Sequence, residues 1–463
     1  MGRLIVISNR VAVPDVDQAQ AGGLAVALND ALSTYGGLWL GWSGRTVEGA
    51  TTLPHITTHG NVAYALLDLT PEDYAEYYNG FANRTLWPLF HYRLDMAEFD
   101  RVNYQTYLKV NTFFATALLS LLQPDDIIWV HDYHLIPLGQ ELRRLGVTQR
   151  IGIFMHTPFP ALEIMLTLPS HARLVQSMSA YDVVGFQTIN DLRSFLDYVA
   201  QEANGKVDME DGTVLMGERT LKAAVFAIGL DAESMAAEAV NSFHTPSVQR
   251  LQRTLHGRAL LIGVDRLDYS KGIPERLRAY ARFLERHPPF RKKVTFLQIS
   301  PVSRGDVPEY RRLRRNLEQE AGRINGQHGE PDWVPVRYVS KGYKRATLAG
   351  YYRTARVAVV TPLRDGMNLV AKEFVVAQNP DSPGVLVLSR FAGAAHELEA
   401  ALLVNPYDLD DVADAMARAL SMPLEERLAR WQQMHAVITT NTLSHWCENF
   451  LNVLRGGESI VSA

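Results

Sequence analysis

The sequence predicts an α/β protein built from two doubly wound parallel sheets, with a cleft between the two domains. Three observations predict it. Short apolar runs alternate with helical patterns from end to end, which is how parallel strands covered by helices read in sequence. A linker-like stretch, Ser242-Phe-His-Thr-Pro-Ser-Val248, leaves about half the chain on each side. The length, 463 residues, exceeds what a single core usually holds. In such folds ligands sit at the carboxyl ends of the strands.

The expected strands are Leu4–Ser8, Ile127–His131, Ile151–Met155 and Val183–Phe186, then Leu260–Val264, Val294–Ile299, Val357–Val360 and Val385–Leu388. Each is a short run of apolar residues, the pattern of a strand buried on both faces. Helical stretches lie between them. Leu24–Leu32 is one, and 273–285 is another, with Leu277, Tyr280, Ala281 and Leu284 on one face. No repeat or low-complexity tract interrupts the order.

Composition narrows the function. Hydrophobic residues make up 47% and charged residues 21%, ordinary values for a globular enzyme. The formal net charge of −4 argues against a nucleic-acid binder. The one cysteine, Cys447, excludes an internal disulfide and fits a reducing compartment. The N-terminal apolar run is too short for a signal peptide, and no stretch approaches the ~20 apolar residues of a membrane span. The expectation is a cytoplasmic enzyme without membrane or nucleic-acid partners, compatible with a homo-oligomer.

The most informative stretch is 357–373. After the strand Val357–Val360, Pro362 ends the run and Gly366 permits a tight turn. Asn368 stands at a helix N-cap position. A helix start after a buried strand offers free N–H groups and a positive dipole end to an anion. The amides suit a phosphate, and of the two carboxylates, Asp365 and Glu373, one suits sugar hydroxyls and the other a ribose. The same spacing also fits an ordinary strand–loop–helix joint with a solvated Asp and Glu.

Other strand ends carry chemistry too. Arg10 follows the first strand, and Gly22-Gly23 precede the first helix, where a ligand can approach backbone amides. His131-Asp132-Tyr133-His134 follows Ile127–Val130. No further Cys or His group supports a metal there, so Asp132 reads as a hydroxyl-binding or polarising carboxylate. His156 ends another strand. Arg266 and Lys271 lie five residues apart on one loop and suit a diphosphate, or else surface ion pairs with Asp265 and Asp268. Ser303-Arg304-Gly305-Asp306 repeats the logic. The arginines of 311–323, interleaved with Glu318 and Glu320, read as a solvated helix face. Asp408-Leu-Asp410 opens a helical pattern and reads as an N-cap before a metal site.

Taken together, these segments resemble the trehalose-6-phosphate synthases, retaining glycosyltransferases of family 20 with the GT-B fold. The resemblance rests on Ser8-Asn-Arg10, Ala21-Gly-Gly23, Gly37 to Gly44, Tyr77-Tyr-Asn79, Leu86-Trp-Pro88 and Trp129 to His134. It continues through His156 to Pro160, Val264 to Gly272, Ser303 to Asp306, Glu320 to Gly326, Thr361 to Glu373, and Asn441 with His445-Trp446. These cover nearly the whole chain. Thr157 and Leu230 depart from residues the family often carries, beside the presumed ligand contacts.

The resemblance implies two facing domains, an acceptor domain over 1–242 joined by returning helices 441–463, and a nucleotide-sugar domain over 243–440. It implies transfer of glucose from a nucleoside-diphosphate glucose to glucose 6-phosphate, giving α,α-trehalose 6-phosphate with retention and without metal or cofactor. UDP-glucose stands first among UDP, GDP and ADP donors. Arg266 and Lys271 are implied to hold the diphosphate, with the amides of Gly366, Met367, Asn368, Leu369 and Val370 and of Gly22-Gly23. Glu373 is implied to bind the ribose, Tyr343 the base, and Asp365 and His156 the transferred glucose. Arg10, Tyr78, Trp87, Asp132 and Arg304 are implied to form the acceptor side, the two arginines facing its phosphate. A silent homologue serving as a scaffold predicts losses at Asp365, Glu373, Arg266 or Lys271, and none is lost.

Overall fold

The computed structural model describes residues 2–13, 23–305 and 307–458. The chain divides into two compact units, Met1–Ile228 with Ser444–Ala463, and Gly229–Leu443. The crossing therefore falls at 228–229, ahead of the linker expected at Ser242–Val248. That stretch joins two helices of the second unit, Ala232–Ser242 and Pro246–Leu255. Its Ser, Thr and Pro mark a helix joint: Thr245 N–H donates to the Ser242 carbonyl, and Pro246 occupies the first helical position. Residues 229–242 and 441–443 thus belong to the second unit, not the first.

The first unit carries a ten-stranded sheet. Its strands are β1 (Leu4–Arg10), β2 (Gly37–Thr46), β3 (His55–His59), β4 (Val62–Leu69), β5 (Ile127–His131), β6 (Ile151–Phe154), β7 (Val183–Phe186), β8 (Lys206–Val207), β9 (Thr213–Met216) and β10 (Arg219–Val225). The order is β3-β4-β2-β1-β5-β6-β7-β10-β9-β8. All pairs from β4 through β10 are parallel, and an antiparallel strand or hairpin closes each edge. The chain runs outward from β1 through β2 and β4, then returns to build β5, β6 and β7 on the other side. That reversal opens a crevice at the carboxyl ends of β1 and β5.

The second unit has six parallel strands: β11 (Ala259–Val264), β12 (Val294–Ile299), β13 (Val336–Val339), β14 (Val357–Val360), β15 (Val385–Ser389) and β16 (Leu402–Val404). Their order, β13-β12-β11-β14-β15-β16, reverses between β11 and β14. The loops after these two strands, 265–272 and 361–368, therefore share one crevice. All eight strands expected from apolar runs are present. So are both expected helices, as Gly23–Tyr35 and Ile273–Arg286. Asp408 caps the helix Leu409–Ser421, accepting from the amides of Asp410 and Asp411. Arg314 and Arg323 pair with Glu318 and Glu320 on an exposed helix face, as the interleaving implied.

The last helix, Leu443–Leu454, completes the first unit. Phe450 stacks on Trp129 at 4.6 Å and meets Phe154 and Phe226 edge-on. It seats where β6 and β7 lack side chains: a Cβ at Gly152 or at Gly185 would lie 2.8 Å from the Phe450 ring. Overpacking of this kind costs about 1–3 kcal/mol. Gly152→Val and Gly185→Val should each lower the melting temperature and raise protease cleavage near residue 450. An unchanged melting temperature in both variants would refute this packing role.

Candidate active site

In the second unit the switch-point loops bring the expected donor residues together. Lys271 ends a short 3-10 turn, Tyr269–Lys271, after β11. Gly272 follows in a left-handed conformation, φ 62°, with its back against the Thr361 carbonyl, so only glycine fits there. Lys271 Nζ lies 2.5 Å from Asp365 Oδ2, with both side chains largely buried. Asn368 is also left-handed, φ 82°. Its amide donates to Asp365 (3.0 Å) while its carbonyl oxygen caps the helix Leu369–Ala377 at the Ala371 amide (3.2 Å). The strained residue in this turn is therefore Asn368, where the sequence had suggested Gly366. Asn visits this region because its side chain bonds locally. The close backbone approach belongs to Gly393, whose hydrogen faces the Gly366 carbonyl.

The first-turn amides of this helix have no intrahelical carbonyl to bond, and Asn368 takes up that of Ala371. Glu373 lies one turn inside. Burial raises its pKa, against the pull of Arg345, and Tyr352 donates to it at 3.4 Å. Arg266 is exposed on the same β11 loop. Asp265 and Asp268 do not form the surface pairs considered from sequence. Asp265 bonds the buried Arg276, and Asp268 accepts from Arg304. Tyr343 lies edge-on to Tyr351, with Lys341 Nζ 5.3 Å from its ring centre.

Arg304 is left-handed, φ 50°, and its side chain is almost wholly buried. Nη1 donates to Asp268 Oδ2 (3.1 Å) and to Tyr310 Oη (2.5 Å). Sequence reasoning missed Asp268 and Tyr310 as its partners, and Arg276 as the anchor of the loop. Gly22 and Asp306 lie outside the described residues. Gly23 begins the helix Gly23–Tyr35.

In the first unit the expected acceptor residues gather at the carboxyl ends of β1 and β5. Arg10, the last residue of β1, lies over the Trp42 ring at 5.7 Å and against Gly44, where a Cβ would be 2.6 Å from Nη2. Trp42 contacts Tyr74 and Tyr78, and Tyr78 stacks on His134 at 5.9 Å. Tyr78 rides on a π-helix, Tyr74–Leu86, a rare form often found at functional sites. Trp87 is buried between His91 and Tyr133. Trp42 and Tyr74 went unassigned in the sequence, although Trp42 lies inside the Gly37–Gly44 motif.

Asp132 breaks out of β5 in a left-handed conformation, φ 74°. Its Oδ1 accepts from the amides of His156 and Thr157 and from the Thr157 hydroxyl, at 3.1–3.2 Å. His131 Nδ1 and His156 Nε2 are 3.0 Å apart. Burial pulls the His156 pKa down to about 3 and that of His131 well below the ordinary value, so both rings are neutral near pH 7. Among the described residues no group of three or more His, Cys, Asp and Glu side chains is placed to hold a metal ion.

With this geometry in place, the comparison with known proteins is decisive. The glycosyltransferase family 20 model matches residues 8–456. The chain belongs to glycosyltransferase family 20. A trehalose-6-phosphate synthase of Sinorhizobium fredii is 50% identical over 457 residues, covering 98% of both chains. An α,α-trehalose-phosphate synthase (UDP-forming) of Burkholderia xenovorans, solved in complex with glucose-6-phosphate, superposes with a TM-score of 0.96. It is 50% identical, over 98% of this chain and 100% of that one. A structure from E. coli bound with UDP-2-fluoro glucose superposes with a TM-score of 0.93 at 46% identity, over 98% and 99% of the two chains. The fold expected from the resemblance, GT-B, is the fold of this family, and the chain is a glycosyltransferase.

Burial shifts the Asp132 pKa up to about 6, against the hydrogen bonds that lower it. An acid with a raised folded-state pKa destabilises as pH rises through the window between its unfolded value, about 4, and 6. Asp132→Asn removes that penalty while keeping an acceptor oxygen. The stability of the variant relative to the parent should therefore rise by roughly 1–2 kcal/mol between pH 4 and pH 7. Chemical denaturation at the two pH values reads it, and a constant difference would show that Asp132 is not penalised by burial.

Proposed function

We propose that the chain transfers glucose from UDP-glucose to glucose 6-phosphate, giving α,α-trehalose 6-phosphate with retention and without metal. One observation carries the reading: the half-identical B. xenovorans enzyme that spans the same length is named for the UDP-forming reaction and holds glucose-6-phosphate. The geometry supports it. Arg266 and Lys271, with the amides of the helix Leu369–Ala377, supply positive charge where a departing diphosphate develops negative charge, the work a metal does elsewhere. Glu373 takes the ribose and Tyr343 the base, while His156 and Asp365 take hydroxyls of the transferred glucose. Arg10, Tyr78, Trp87, Asp132 and Arg304 form the acceptor side. In this scheme Met1–Ile228 carries most of the acceptor residues and Gly229–Leu443 most of the donor residues.

Retention needs either a covalent intermediate or attack from the leaving-group face. The carboxylate bonded to Lys271, Asp365, accepts from both Lys271 and Asn368. Those bonds stabilise its charge and make it a weak nucleophile. The leaving phosphate therefore takes the proton of the acceptor hydroxyl as the new bond forms on the same face. The absence of internal disulfide chemistry fits a cytoplasmic setting.

Purified protein should release UDP only with both substrates present, and should do so in EDTA. Strict dependence on a divalent metal would count against the mechanism. Lys271→Ala should lower turnover about 10²–10³-fold, the equivalent of about 3–4 kcal/mol of transition-state stabilisation. Near-native turnover would sink the assignment.

Arg304→Ala should raise KM for glucose 6-phosphate about ten- to a hundredfold and narrow the preference over glucose, with UDP affinity nearly unchanged. It also strips Asp268 of a buried partner, so the melting temperature should fall as well. Loss of UDP binding with normal acceptor kinetics would place Arg304 on the donor side instead.

A further inference from the structure

The mechanism above uses His156 but leaves unused the buried group that touches it. His131 is fully buried at the end of β5, and its Nδ1 lies 3.0 Å from His156 Nε2. Two neutral imidazoles at that distance share one hydrogen: either His131 Nδ1–H donates, or His156 Nε2–H does. The choice fixes what His156 offers at its other nitrogen. In the first case His156 carries its proton on Nδ1 and is a donor there. In the second it presents a bare lone pair.

The surroundings of His131 decide between the two. Its Nε2 is buried and meets no hydrogen-bonding partner. The rings packed on it include Trp129, with centroids 4.6 Å apart, and Trp446, at 6.4 Å. The indole nitrogens of both are themselves buried without an acceptor. Indole only donates. A hydrogen on His131 Nε2 would add another orphan donor to a pocket that already holds two. Orphan buried donors are rarer than under-satisfied acceptors. A bare Nε2 places the proton on His131 Nδ1, aimed at His156.

We propose that His131 is a positioning residue for the transfer: its Nδ1–H donates to His156 Nε2 and holds His156 as the Nδ1–H tautomer, a hydrogen-bond donor toward an oxygen of the transferred sugar. The second half of this statement rests on the donor-side reading of His156. His156 is half-buried, and its Nδ1 has no hydrogen-bond partner among the described residues. Trp446 lies 6.0 Å from His156 and walls the pair from the side of the last helix. Neutrality of both rings follows from their burial and keeps the arrangement constant through the physiological range.

Nitrogen-15 NMR of the histidine-labelled full chain reads the tautomer directly, without substrate. The expected spectrum gives His156 a protonated Nδ1 and an unprotonated Nε2. The reverse pattern overturns the proposal. Kinetics then test its consequence. His131→Phe removes the donor, and turnover should fall about tenfold to a hundredfold with KM for glucose 6-phosphate little changed. His131→Asn, whose amide can donate from nearly the Nδ1 position, should recover most of that loss. His131→Asp can only accept when ionised, so it should favour the opposite tautomer and recover none of it.

If His156→Ala abolishes turnover while Phe, Asn and Asp at 131 all behave like the parent, the positioning role fails and the reading of His156 stands. If His156→Ala turns over normally, the donor-side reading of His156 fails, and with it the link from tautomer to rate. Should His131→Phe fail to fold, the parent spectrum and the contrast between Asn and Asp decide alone.

Discussion

The second unit depends on one buried guanidinium. Arg276 has no exposed surface and spends its donors on four partners: Thr361 after β14, Asp265 after β11, Gln298 on β12 and the carbonyl of Lys271. Three neighbouring strands and the loop between two of them are tied at one point. A buried charge is tolerable only when every donor is met, and a planar fork meets several acceptors at once where an ammonium could not. Arg276 sits in the first turn of the helix that follows Lys271, so the loop is fastened by the element it leads into. That constraint helps hold Lys271 opposite Asp365.

The two units manage polarity in opposite ways. Around β11 and β14, charge is kept and paired: Lys271 with Asp365, Arg304 with Asp268, and the buried Lys372 with Glu397. Around β1 and β5, the buried titratable rings are neutral, and aromatic faces line the crevice from Trp42 through Tyr78 to His134. Under the proposed function, the paired charges of the second unit suit a diphosphate and the flat rings of the first suit a sugar.

Much of this was legible in the chain. Strands buried on both faces announce themselves as apolar runs, so Leu4–Ser8 and Val357–Val360 were evident. Strands with an exposed face were not. β3, His55–His59, is a largely exposed edge strand, and β10, Arg219–Val225, between β7 and β9, mixes exposed and buried residues. Asn368 was readable as a cap because capping is local. The partners Arg276, Asp268 and Tyr310 were not, because most of the contacts that define them join residues from 11 to 85 positions apart. The position of the chain crossing was misjudged for a related reason: Ser, Thr and Pro look the same in a linker and between two packed helices.

The docking of Phe450 against Gly152 and Gly185 also bears on how the protein is made. Most of the first unit precedes the second in the chain, yet Gly152 and Gly185 lack their cover of Phe450 until the helix Leu443–Leu454 is made. During synthesis that helix follows the roughly 200 residues of the second unit, a delay of about ten to forty seconds at ordinary ribosomal rates. Over that interval Trp129 and the bare backbone of β6 and β7 stand open to water and to other chains. The usual order, in which the N-terminal domain finishes first, is inverted here. The second unit can close on the ribosome, whereas the first gains the helix Leu443–Leu454 only after the second unit has been made.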